Sequence, residues 1–166
     1  MAALVACKGN DGSAGSAAPS GAPAAGGAGA VAAPPDACSV ASPAEISAAL
    51  GDAFTPSATQ PSARFPTVSV CNFNTTGGKT LIVRTETIDR DGWETSVKMA
   101  RGARPITGVG DEAYFQPTEI MHVAVGQLLA YKGKTFVSIN YAGLGLDMGT
   151  AEAAEKALML KILAKI

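Results

Sequence analysis

The sequence predicts an α+β fold: a mostly antiparallel sheet covered by about three helices, in the order helix, two strands, helix, three or four strands, helix. Three observations lead there. Runs rich in Val, Ile and Thr are joined by turns as short as Lys132-Gly133, and such short connections make neighbouring strands antiparallel. Segments with capping residues and a 3.6-residue apolar period stand before, between and after those runs. Residues 8–35 hold ten Ala, seven Gly, four Pro and three Ser among 28 positions. Such a segment cannot bury enough apolar surface to offset its chain entropy, so the fold is expected in residues 36–166, a length that suits one domain with one core.

Each element has its own signal. Ser42-Pro43-Ala44-Glu45 is a helix start, with Ser42 as cap, Pro43 in the first turn and Glu45 closing a capping box. Ile46, Ala49 and Leu50 form its apolar stripe, and Gly51 ends it. Residues 52–66 read as loop. Thr67–Asn74 and Lys79–Ile88 read as strands around a turn at Thr75-Thr76-Gly77-Gly78, and the Asn74-Thr75-Thr76 sequon belongs to that turn. Asp91 to Arg101 reads as a helix, with Asp91 and Glu94 at capping positions and Trp93, Val97 and Ala100 on one face; Gly102 ends it. Strands follow over Glu112–Phe115, Glu119–Val125, Gln127–Tyr131 and Lys134–Tyr141, with Gly126 as a tight turn or a bulge that merges two of them. Thr150–Ile166 closes the chain as a helix, with Ala154, Leu158 and Ile162 toward the core and Glu152–Lys156 as an exposed i, i+4 pair.

The formal net charge is −1 and the pI about 5.8, without the basic excess that nucleic-acid binding requires. Lys98, Arg101 and Arg104 recur every three residues, which reads as the solvated end of a helix, where cations suit the dipole. No run reaches the roughly 18 apolar residues of a spanning helix.

Of three cysteines, Cys7 stands alone ahead of the small-residue segment. Leu4-Val5-Ala6-Cys7 resembles the bacterial lipobox, which implies cleavage before Cys7 and diacylglycerol on its sulfur. Residues 1–7 then read as the remnant of an export signal and 8–35 as a tether, with a typical span of about 30 Å and a full extension of about 90 Å. Only six residues precede Cys7 and none is basic, so a longer signal is expected upstream of Met1. Removing Cys7 from the count leaves Cys38 and Cys71 as one possible disulfide in an oxidising compartment. A pair of free thiols and a two-cysteine metal site are the alternatives.

Further motifs carry a second resemblance. Asp36-Ala37-Cys38-Ser39-Val40 leads into Ser42-Pro43-Ala44-Glu45-Ile46, Cys71 follows on a strand, and Gly108-Val109-Gly110-Asp111-Glu112-Ala113-Tyr114 comes later. In that order they resemble a broad group of small bacterial envelope lipoproteins of unknown function, over residues 36–166. The resemblance implies a fold and a location, but no chemistry.

His122, the single histidine, lies in Ile120-Met121-His122-Val123-Ala124 and is expected on a strand, sharing a face with Ile120 and Ala124. No G-x-S-x-G elbow accompanies it, and one histidine excludes a histidine-based zinc cluster. Gly143-Leu144-Gly145-Leu146-Asp147-Met148-Gly149 has the spacing G-x-G-x-x-x-G rather than that of a dinucleotide loop, and reads as a flexible strand-to-helix loop. Asp111 and Glu112 read as a polar strand start, with Gly108 and Gly110 supplying turn geometry. The expectation is a non-enzymatic domain with no cofactor or metal, tied to a membrane through an N-terminal lipid. It would bind an envelope component or a small ligand and no nucleic acid. The rivals are an enzyme with an unfamiliar site and a purely structural surface protein.

Overall fold

The computed structural model describes residues 32–57 and 65–166, within the compact unit Val31–Ile166. Cys7, residues 8–31 of the tether and residues 58–64 of the expected loop lie outside the described residues.

The chain first forms a short helix, α1 (Ala37–Val40), capped by Asp36, whose carboxylate accepts from the Ser39 amide. Helix α2 (Pro43–Leu50) carries the expected capping box between Ser42 and Glu45 and ends at Gly51 in the left-handed region (φ 78°). Seven strands follow: β1 (Thr55–Ser57), β2 (Val68–Asn74), β3 (Thr80–Thr87), β4 (Arg104–Ile106), β5 (Glu112–Ile120), β6 (Val123–Lys132) and β7 (Thr135–Leu144). Helix α3 (Arg90–Met99) separates β3 from β4, and α4 (Met148–Leu163) ends the chain. The fold is α+β, and every strand pair is antiparallel in the order β1-β2-β3-β7-β6-β5-β4. Two hairpin series meet where β3 pairs with β7.

Alternation along the central strands sends one set of side chains to each face. Cys71, Phe73, Leu81, Val83, Ile139, Leu128 and Phe115 point to one face, where α1, α2 and α4 pack Ile46, Leu158, Met159 and Ile162 against them. The other face carries Leu129, Tyr131 and Phe136 at one end, under Trp93 of α3. Trp93 stacks on Tyr131 with ring centroids 5.5 Å apart, and its neighbours Tyr114 and Phe136 are tilted against it. A helix of ten residues is about 15 Å long. It cannot roof seven strands, so the rest of that face stays half-covered.

Several boundaries differ from expectation. Asp89, not Asp91, caps α3, its carboxylate accepting from the Gly92 amide. The short strands β1 and β4 carry Pro56 and Pro105, and their composition hid them. Of the two readings of Gly126 the merger holds, without a bulge: Gly126 lies in regular register inside β6, the turn falls at Met121-His122, and β5 extends through Ile120. Glu152 and Lys156 do not pair with each other: Glu152 meets Arg104, and Lys156 donates to the Thr107 carbonyl (2.9 Å).

Candidate functional site

Most sequence-marked residues turn out to hold the fold together. Cys38 and Cys71 are joined as a disulfide, with Cα atoms 5.1 Å apart, which clips α1 onto β2. The Ala37 amide donates to the Ser69 hydroxyl (3.0 Å), and the Thr85 hydroxyl donates to the Pro35 carbonyl, so the clip is backed on both sides.

The Gly108–Tyr114 segment is a structural knot. Val109 is buried, and Gly108 and Gly110 both have positive φ (76° and 57°). A Cβ on Gly110 would meet the Tyr131 carbonyl oxygen at 2.5 Å. Asp111 accepts from the Gly133 amide (2.7 Å) and so ties down the β6–β7 hairpin. Glu112 accepts from the Trp93 indole N–H (2.8 Å) and pairs with Arg90; the indole first, then the guanidinium, hold its carboxyl below the usual range. Asp111 and Glu112 are thus occupied by the fold rather than free for acid–base work.

His122 corrects its expectation. It is not in a strand but at the β5–β6 tip, with positive φ (66°) beside Met121 (50°). Its side chain is 95 % exposed, and its nearest acid is Glu119 at 3.6 Å. The basic triplet also separates. Lys98 lies in the last turn of α3 and Arg101 just beyond it, whereas Arg104 belongs to β4, sits over the Phe115 ring and pairs with Glu152. The glycine run divides too: Gly143 is in β7, Gly149 is in α4, and only Gly145 (φ 66°) serves the connection, which is short.

What sequence reasoning missed is the half-covered face. A cavity of about 410 Å³ lies between the end of α3, at Ser96, Met99 and Ala100, and Arg84, Gln116, Gln127, Leu129 and Phe136 of the sheet. Arg84 lies over the Phe136 ring and pairs with Glu86, so the one cation of this wall is neutralised. Gln116 donates to the Arg101 carbonyl (2.7 Å), which fixes its side chain at the rim. A second cavity, of about 300 Å³, opens between α2 and the start of α4, beside Lys79, Tyr141, Leu146 and Thr150. There Lys79 and Asp52 form an ion pair (2.6 Å), and burial raises the Tyr141 phenol.

Sequence reasoning also missed Glu155. It lies on α4, fully buried against the sheet, and no donor reaches either carboxyl oxygen in full hydrogen-bond geometry. Burial pushes its pKa up to about 9; the Leu128 backbone amide pulls the other way, and Glu152 adds to the rise. A Cβ on Gly126 would meet its Oε1 at 2.3 Å. The glycine that mimicked a turn therefore clears space for this acid. The signal was present, since Ala151, Glu155, Leu158 and Ile162 share one helical stripe.

Comparison of the chain with models of known protein families, with curated proteins and with solved structures found no match.

Proposed function

We propose that this chain is a lipid-anchored binding module of the bacterial cell envelope, acting without catalysis and holding a small envelope ligand on the sheet face that α3 half covers. The observation that carries the reading is the cavity beside α3. It has an apolar wall, Leu129 and Phe136, next to a few polar side chains, Gln116, Gln127 and Ser96, the usual make-up of a ligand site. The lipobox-like Leu4-Val5-Ala6-Cys7, the small-residue tether and the Cys38–Cys71 disulfide support an extracytoplasmic setting. Acyl chains on Cys7 would hold the domain at a membrane, since two chains anchor stably where one does not.

Expression of the gene from its own locus in its own host, followed by mass measurement of the mature protein, tests the anchor: diacylglycerol on Cys7 is expected, and an unmodified Cys7 contradicts it. Native mass spectrometry of the protein recovered from its own envelope tests the site. A small-molecule adduct should accompany the wild type and be lost from Gln127→Trp, which fills the cavity. Recovery without an adduct, or an adduct retained by the variant, contradicts the site.

A further inference from the structure

The half-covered face has a pattern that runs beyond the cavity. Asn72, Ile82, Asn140, Gln127 and Gln116 are successive register partners across β2, β3, β7, β6 and β5. At the ~4.8 Å spacing of paired strands, the row crosses about 19 Å of sheet. Four of its five residues are carboxamides, all half-buried. Gln116 spends one N–H on the Arg101 carbonyl. The side chains of Asn72, Asn140 and Gln127 have no hydrogen-bond partner among the described residues, and the Asn72 Oδ1 is buried in that state. A polar group removed from water is normally paired, so the buried, unpaired Asn72 Oδ1, in a row whose Asn140 and Gln127 amides are free and reach solvent, points to a ligand that completes the row.

We propose, on the reading that this face is the binding site, that the row takes a neutral oligosaccharide. Carboxamides each offer a donor end and an acceptor end without charge, and a sugar hydroxyl is likewise both donor and acceptor. The match needs no fixed polarity and gives no preference to an anion, since Arg84 is already paired with Glu86. Ile82 interrupts the amides, and Val125 and Ala142 flank them in the next row, which gives the C–H face of a pyranose an aliphatic floor. An extended peptide fits less well. Peptides recognised by backbone pairing add to a sheet edge. Here both edge strands are three residues long and carry a proline, Pro56 in β1 and Pro105 in β4, which removes a backbone donor from each.

The test is a titration of the full chain, labelled with ¹⁵N, with three probes: a β-1,4-linked N-acetylglucosamine tetramer, a β-1,4-linked glucose tetramer and a blocked tetra-alanine peptide. At millimolar concentration at least one sugar should shift the side-chain amide signals of Asn72, Asn140 and Gln127. Gln127→Ala combined with Asn140→Ala should weaken that binding at least tenfold. Trp93, the single tryptophan, reports by its emission whether the variant has kept its fold. If it has not, Gln127→Glu alone, which keeps the shape and removes the donor, should give the same loss. Shifts caused by the peptide and not by the sugars overturn the saccharide assignment, as does silence toward both sugars. The binding face itself is judged separately, by the envelope-derived adduct and its loss from Gln127→Trp.

Discussion

Glu155 sets the pH behaviour of the molecule. Its ordinary pKa is 4.5 and burial raises it to about 9, so in the folded chain at pH 7 the carboxyl holds a proton that the unfolded chain has released. An acid raised in this way supports folding fully below pH 4.5, and that support is lost as pH rises toward 9. At ~1.4 kcal/mol per unit, the loss by pH 7 is about 3.5 kcal/mol. Glu155→Gln keeps the shape and removes the titration, so its stability advantage over wild type should grow from about zero at pH 4 to about 3.5 kcal/mol at pH 7, measured by urea unfolding. Parallel stability curves for the two proteins would show that Glu155 does not titrate as its burial dictates. Met121 and His122 are a second residue-scale anomaly. Both occupy the left-handed region in a two-residue turn that suits Asn-Gly, and Met121 is 91 % exposed. Left-handed backbone costs a side-chain-bearing residue about 1–2 kcal/mol. Met121→Asn together with His122→Gly should therefore raise stability by about that amount, and an unchanged or lower melting temperature would contradict the turn geometry.

Among the elements, α1 and α2 are short and depend on what ties them down. Glu45 closes the α2 capping box and also accepts from Lys165 near the chain end (2.7 Å). Lys165 first, then Ser42, hold the Glu45 carboxyl down at about 2, so this tie weakens only as pH falls from 4.5 through 2. The Cys38–Cys71 bond holds the other end of this region, closing a separation of 33 residues. The loop-entropy relation assigns such a loop about 3.5 kcal/mol. Cys38→Ser with Cys71→Ser should lower the unfolding free energy by roughly that much, and a loss under 1 kcal/mol would mean that α1 packs without its clip. The helices bounded by capping residues and glycine were legible in the sequence because those signals act locally. The β5–β6 turn was not, for two reasons: Gly126 carries a turn signature but is needed to make room for Glu155, and Met-His carries no turn signature at all. The strands β1 and β4 escaped notice because three residues with a proline have no period to read.

On the scale of the whole molecule, the proposed function rests on an imbalance between the two faces of one sheet. Three helices cover one face, while α3 alone covers part of the other. Element order and the antiparallel sheet could be read from turn lengths and periodicity. The amide row could not, because Asn72, Gln116, Gln127 and Asn140 lie on four separate strands and meet only in the correct register; a one-residue slip would turn any of them to the other face. The proposed anchor rests on the sequence around Cys7 and the proposed binding face rests on geometry, so each can fail without the other. The measurement that bears most closely on the binding face is site-specific photo-crosslinking in the intact envelope, with p-benzoylphenylalanine replacing the exposed rim residue Met99 in one variant and the exposed Lys161 of α4 in another. Met99→p-benzoylphenylalanine should capture an envelope molecule that Lys161→p-benzoylphenylalanine does not. Equal labelling at the two positions, or labelling at Lys161 alone, would contradict a ligand site on the face beside α3.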